Sequence, residues 1–130
     1  MKAYEIQKFG LDGLVMVDRP VPVPSANQVL VKMHAWSLNY RDLLTLTGRY
    51  NPRLKLPQIA LSDGAGEVVA VGAEVKNVKV GDRVANTFFE RWVAGEPSDD
   101  KIRTALGAGR DGVLAEYVVL HEDGVIPIPD

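Results

Sequence analysis

Alternation of apolar and polar positions is clearest at residues 28–37. Val29, Val31, Met33 and Ala35 fall on one side and Gln28, Lys32, His34 and Trp36 on the other, which predicts a half-buried strand. Upstream, residues 1–9 read as a strand closed by a turn at residues 10–13, and residues 14–17 form a second apolar run. Asp18, Arg19 and the prolines at 20, 22 and 24 break that run, because proline donates nothing to a sheet ladder. Downstream, an apolar run at residues 66–71 is followed by a polar loop and by Gly81-Asp82-Arg83-Val84, a strand, turn and second strand. Residues 113–120 (VLAEYVVL) and a short run at 125–128 add further strands.

One short helix is predicted. Asn39 is a favourable N-cap, Asp42 places a carboxylate in the first turn, and Leu43, Leu44 and Leu46 give an apolar side. Gly48 is placed to end it in a left-handed conformation. Residues 49–55 read as a loop, and residues 90–111 as a polar loop or a weak helix around 101–106. Many short strands and few helices predict a mainly β, barrel-like domain, without repeats, coiled coil or low-complexity linker.

Composition narrows the function classes. At 130 residues, 46% hydrophobic and 25% charged, the chain makes one ordinary globular domain spanning residues 1–130. Fifteen basic against seventeen acidic side chains leave a net charge of -2, which gives no electrostatic case for nucleic acid or an anionic membrane. There is no apolar run long enough to span a bilayer and no apolar signal-peptide core in MKAYEIQKFG, so a cytoplasmic protein is expected. With no cysteine and only His34 and His121 as nitrogen ligands, no metal site is expected.

Residues 107–112 (GAGRDG) match the glycine pattern GxGxxG of dinucleotide-binding loops. That loop works only between a buried strand and a helix whose N-terminus receives a pyrophosphate. Residues 101–106 are not a strand pattern and residues 113–120 alternate like a strand, so a loop entering a strand is the expected reading.

Residues 57–84 carry the pattern PxxxxxDGAGxVxxVGxxVxxxxxGDRV. With AEYVVL at 115–120, this resembles the medium-chain dehydrogenase/reductase superfamily, in its N-terminal domain of GroES-like fold. The likeness runs from MKAY to VIPIPD and implies a partly open β-barrel with one or two short helices. Zinc-type members hold a catalytic metal with a cysteine and a histidine whose positions here fall on Asn39 and Ser62, with Asp63 beside it. Their four-cysteine lobe corresponds to residues 88–112, which contain no cysteine. The resemblance therefore implies the zinc-independent branch, with its quinone oxidoreductases and enone or enoyl reductases. Hydride passes there from C4 of a reduced nicotinamide, NADH or NADPH, to a small-molecule substrate.

On that resemblance Asn39 faces the cofactor, Tyr50 and then Tyr40 are hydrogen-bond donors for a developing oxyanion, and Ser62 and Asp63 border the substrate. Other roles stay open from the residues alone. Asn39 also suits a helix cap, Tyr50 a packing role, and Asp63 before Gly64 a turn. Asp82 and Arg83 read as structural, His34 as solvated, and Trp36 as a cover for a loop or a contact to a partner domain.

Members of the superfamily continue from a segment like VIPIPD into a Rossmann domain and then return to complete the first domain. The expectation is a substrate-side domain whose NAD(P)-binding Rossmann domain is absent from the chain, inactive by itself, with an apolar patch inviting homodimerisation. The alternative is a stand-alone GroES-like binding or assembly module. A true co-chaperonin fits less well, since nothing resembles its apolar mobile loop.

Overall fold

The computed structural model describes residues 1–129. It is mainly β, with two antiparallel sheets that do not close into a barrel. The first sheet orders β2 (Leu14–Asp18), β1 (Lys2–Ile6) and β4 (Gln58–Ile59). The second orders β7 (Tyr117–His121), β3 (Gln28–Ser37), β5 (Asp63–Val71), β6 (Arg83–Asn86) and β8 (Val125–Pro127). Two short helices, α1 (Tyr40–Leu46) and α2 (Asp99–Ile102), lie between strands, as do 3-10 turns at Leu11–Gly13 and Glu122–Gly124.

β3 has the bounds its alternation predicts, but its faces do not alternate to the end. Pairing with β5 slips between Leu30 and Val31 and again between Met33 and Ala35. The first slip skips Val69 of β5, so Val29, Val31 and Met33 stay buried on one side as their alternation predicts; the second skips His34 of β3, and Ala35, expected inside, is exposed with the rest of the strand's end. Trp36 then lies over the 112–116 segment, its Nε1–H donating to the Val113 carbonyl at 2.6 Å, so it covers a loop as one of its readings anticipated.

The expected strand over residues 113–120 divides in two. Only Tyr117–His121 joins the second sheet. The preceding residues cross to the first: Gly112 N–H donates to the Ile59 carbonyl, Leu114 to Ala60, Val113 to Leu61, and Glu116 to Lys2, while Tyr4 N–H donates to Leu114. Val113 and Ala115 drop into the space between the sheets at 0% and 3% exposure. They join a core of Ala3, Ile6, Val29, Val31, Met33, Ile59, Val68, Val84, Val118 and Leu120. The buried positions run 113 and 115, then 118 and 120, so the alternation changes phase where the chain passes from one sheet to the other.

β4 carries no periodic signal because it is two residues long, and it exists through its pairing with β1. The weak helix expected around 101–106 forms earlier, at Asp99–Ile102, where Asp99 and Asp100 occupy the first turn. The first sheet is fastened by charge. Arg19 pairs with the buried Glu5 and, at 2.9 Å, with Asp111, whose other oxygen accepts the Ile59 N–H at 3.0 Å. Glu90, 1% exposed, pairs with Arg110 and accepts the His121 N–H at 2.6 Å.

Residues 107–112 lie in a packed loop. Gly107 N–H donates to the Arg110 carbonyl, no strand precedes the segment and no helix follows it. A methyl group at Gly112 would overlap the carbonyl oxygens of Ala60 and Leu61, so this glycine permits close backbone approach. Gly112→Ala is expected to destabilise the fold by about 1–3 kcal/mol in denaturant titration, the usual effect of overpacking.

Glu122 tethers the loop after β5. Its carboxylate accepts the N–H groups of Lys76 and Asn77, both at 2.9 Å, and these bonds hold its pKa below the ordinary 4.5. A depressed folded value means that the stabilisation is complete above pH 4.5 and is lost as pH falls through the folded value. Glu122→Gln should therefore lower the urea midpoint at pH 7 and leave a gap from wild type that narrows toward pH 3. A gap independent of pH would show that the charge is not what matters.

Candidate functional site

The start of α1 and the start of β5 meet at three of the five expected site residues. Asn39 is extended, at φ -117° and ψ 154°, and its main chain begins the helix. Its N–H donates to the Asp42 carboxylate at 2.8 Å, and Asp42 N–H donates to its carbonyl at 2.9 Å. The Asn39 side chain takes part in a capping box with Asp42, and its amide N–H also donates to Asp63 Oδ2 at 2.7 Å. The same carboxylate oxygen accepts the Ser62 hydroxyl at 2.5 Å. Asn39 thus caps the helix and also ties it to Asp63 at the start of β5.

Asn86 at the end of β6 fixes this strip from the other side. Its side-chain oxygen accepts Gly64 N–H at 2.9 Å, and its amide donates to the Ser62 carbonyl at 2.6 Å. Leu61, just before, has φ 68°, a left-handed conformation uncommon for a leucine. Such a residue persists where its neighbours over-determine it. Here its carbonyl accepts Val113 N–H.

Two carboxylates face this corner. Asp42 is pushed above its ordinary 3.8, chiefly by burial and further by the Asp63 charge, while the Asn39 N–H bond and Arg41 work against the rise. A raised folded value puts its stabilising contribution below pH 3.8 and removes it as pH climbs through the folded value.

Tyr40 and Tyr50 are 71% and 48% exposed, and among the described residues neither hydroxyl has a hydrogen-bond partner. Tyr40 opens α1 but makes no hydrogen bond to the Asn39–Asp63 pair. Tyr50 follows Gly48, whose φ of 75° ends α1 as its position predicts, and its N–H donates to the Leu44 carbonyl at 3.1 Å.

Arg41 was not singled out by its sequence context. It lies between Tyr40 and Asp42 in an NYRD run, where a charged helix residue ordinarily faces solvent. Instead its side chain is only 14% exposed. Its Cζ is 4.7 Å from the Tyr50 ring centre and 4.6 Å from that of Phe88, and Nη2 donates to the Leu106 carbonyl at 3.2 Å. Nε and Nη1 are buried without hydrogen-bond partners among the described residues, and Asp42 is 4.0 Å from Nη1. Each unmatched donor costs about 1–3 kcal/mol. Each ring contact returns about 0.5–2 kcal/mol, so the stack offsets that cost only in part. Asn86 and Phe88 likewise carried no signal, since their roles arise from tertiary contact.

Asn39, Ser62 and Asp63 do not fit a zinc ion. They offer one carboxylate, one hydroxyl and one amide, and these are spent on each other. Among the described residues no cluster of three His, Cys, Asp or Glu side chains could hold a metal.

A cavity of about 200 Å³ adjoins the site, lined by Leu38, Asn39, Asp42, Leu43, Ala60 and Leu61 among other residues. It is almost wholly apolar, with Asn39, Asp42 and Thr45 as polar residues in its lining. A larger cavity of about 740 Å³ lies elsewhere, against Arg19, Glu90, Arg110 and Asp111, and contains none of the five candidate residues. Its charged side chains are already paired with one another or with Glu5. No helix among the described residues is long and apolar enough to cross a membrane.

Replacing Asn39 separates its two roles. Asn39→Ala should cost about 1 kcal/mol of stability, the typical loss of an N-cap. Aspartate caps helices as well as asparagine, so a cap alone predicts that Asn39→Asp is neutral. Because the amide donates to Asp63, Asn39→Asp should instead be about 1 kcal/mol less stable than wild type at pH 7 and recover below about pH 4, where carboxylates protonate. Denaturant midpoints at the two pH values read this directly.

Residues 25–130 match the alcohol dehydrogenase GroES-like domain family. A zinc-type alcohol dehydrogenase-like protein of Schizosaccharomyces pombe is 40% identical over 121 residues, covering 92% of this chain and 35% of its own length. A quinone oxidoreductase of Sus scrofa is 40% identical over 132 residues, covering 100% of this chain and 34% of its own. Among solved structures, the quinone oxidoreductase of Coxiella burnetii aligns with a TM-score of 0.72 at 33% identity over 98% of this chain and 36% of that one. An alcohol dehydrogenase superfamily protein of Novosphingobium aromaticivorans aligns at 0.77 and 27% identity over 98% of this chain and 34% of its own. The chain spans about a third of the length of the curated relatives it matches.

Proposed function

Since the chain belongs to the alcohol dehydrogenase GroES-like domain family of the medium-chain dehydrogenase/reductase superfamily, we propose that it is the substrate-side domain of a zinc-independent, NAD(P)H-dependent oxidoreductase acting on a quinone, enone or carbonyl compound. The observation that carries this reading is the Asn39–Asp63–Ser62 cluster. It stands at the positions where the resemblance places zinc ligands, and it satisfies its own polar groups without a metal. The catalytic work then falls to hydrogen-bond donors.

When bound, the reduced nicotinamide supplies the hydride. The residues of this chain bind and orient the substrate. Tyr50, with its hydroxyl unpartnered and half-exposed, is the first donor for the oxygen on which negative charge builds, and Tyr40 the second. Asn39 borders the cofactor side, with its amide direction fixed by Asp63, and Asp63 borders the substrate; Ser62, expected beside it, is 1% exposed and reaches the site through its hydroxyl bond to Asp63. The apolar walls of the neighbouring cavity suit a hydrocarbon ring or chain next to that oxygen. A Rossmann domain beyond residues 1–130 would contribute most cofactor contacts, so this domain alone should bind NAD(P)H weakly and not turn over. A cytoplasmic location and a homodimer belong to the same reading.

The test is calorimetry with NADPH and NADH on this chain and on the chain joined to a Rossmann domain, with metal analysis of both. Binding confined to the joined protein, together with quinone or enone reduction and no bound zinc, is the expected result. In that protein Tyr50→Phe should lower kcat by on the order of 10–100-fold. Stoichiometric zinc would overturn the metal-free reading. Tight binding to the short chain would overturn the division of labour, and binding to neither would favour a non-catalytic GroES-like module.

A further inference from the structure

Arg41 is an expensive residue to have where it is. A guanidinium at 14% exposure with two donor nitrogens unmatched is a worse packing element than an apolar side chain of similar volume. Its geometry nevertheless joins three separate segments. One ring against it is Phe88, just beyond β6, and the other is Tyr50, in the loop after α1. The carbonyl it binds belongs to Leu106, ahead of the glycine-rich turn. The Tyr50 loop has little else to hold its side chain: its hydroxyl is unpartnered and nearly half the residue is exposed. An aromatic side chain without such a clamp would sample several rotamers, and its hydroxyl would have no fixed direction.

We propose that Arg41 is a positioning residue for Tyr50: its guanidinium, held between the Tyr50 and Phe88 rings, fixes the direction of the Tyr50 hydroxyl at the cleft and polarises it for donation to a substrate oxygen. This rests on the oxidoreductase reading for its consequence in catalysis, but not for the clamp itself. The positive charge lies on the face of the ring, where the quadrupole is negative. Charge that builds on the phenol oxygen as it donates is opposite in sign to that of Arg41. Lysine would keep the charge but lose the flat group that stacks on both rings, so Arg41→Lys is not a conservative change here.

Two arms keep the clamp and its catalytic consequence apart. First, this chain is labelled with 3-fluorotyrosine, which reports on all four tyrosines, and the Tyr50 signal is assigned with Tyr50→Phe. Arg41→Met should move the Tyr50 fluorine resonance by more than its linewidth and leave those of Tyr4 and Tyr117 in place. Arg41→Lys should also move it. An unmoved Tyr50 signal in both variants would overturn the clamp. If Arg41→Met does not fold, Arg41→Lys alone decides, since it retains the cation. Second, in the chain joined to a Rossmann domain, Arg41→Met should lower kcat about tenfold with KM within about twofold, and should have no further effect in a Tyr50→Phe background. An equal loss in both backgrounds would show that Arg41 does not act through Tyr50. Absence of reductase activity in the unmutated joined protein would remove the catalytic role, while the fluorine measurement would still decide the clamp.

Discussion

The main-chain strap at residues 112–116 holds the two sheets of this domain together. Each sheet is small, and the first has only three strands, one of them two residues long. A sheet of that size is not stable by itself and needs a partner to cover its apolar face. The strap supplies one by hydrogen-bonding in turn to residues 59–61 and to β1, then entering the second sheet as β7. Val113 and Ala115 fill the gap between the sheets as it crosses, and Gly112 is bare so that two backbones can touch. The polar backbone of a crossing segment is thereby satisfied while its side chains are buried, the condition any interior segment must meet.

The site inherits its rigidity from that crossing. Residues 59–61 are zipped to the strap, and the next two, Ser62 and Asp63, are the ones that meet α1. Leu61 takes a left-handed conformation at the junction, where its carbonyl is bound by the strap. Asn86 then holds Ser62 and Gly64 from β6. The Asp63 carboxylate is therefore fixed by backbone on both sides. A short helix of seven residues could not fix its own first turn as firmly, and the Asn39 amide reaches across to Asp63 to anchor it.

How much of this could be read in advance depended on whether the signal was local. β3 and α1 were legible, with Asn39 and Gly48 at the ends of the helix, because alternation and capping are properties of consecutive residues. β4, the division of residues 113–120, and the bulge that turns Ala35 outward were not, because each is set by a neighbouring strand. The GAGRDG run is the converse case, a local pattern without its required context. In the site, Asn39, Ser62 and Asp63 came from the family pattern and do come together. Tyr40 and Tyr50 came from the same pattern and stand apart from that cluster. Arg41, Asn86 and Phe88 had no pattern to mark them, since their positions follow from what packs against them.

The charges around α1 account for why those three matter together. Asp42 and Asp63 place two carboxylates near one helix end, and Asp42 is raised chiefly by its burial, with the Asp63 charge the smallest contribution. Neutral donors share that load: Asn39 gives its N–H to one and its amide to the other, and Ser62 gives its hydroxyl. Arg41 supplies a compensating positive charge, with Nη1 4.0 Å from Asp42 Oδ1, at the outer limit of an ion pair. The same guanidinium lies over the Tyr50 and Phe88 rings, so its charge is shared between Asp42 and the aromatic faces. One cation thus serves both the helix end that holds Asn39 and the loop that holds Tyr50, linking the two sides of the proposed cleft through a single residue.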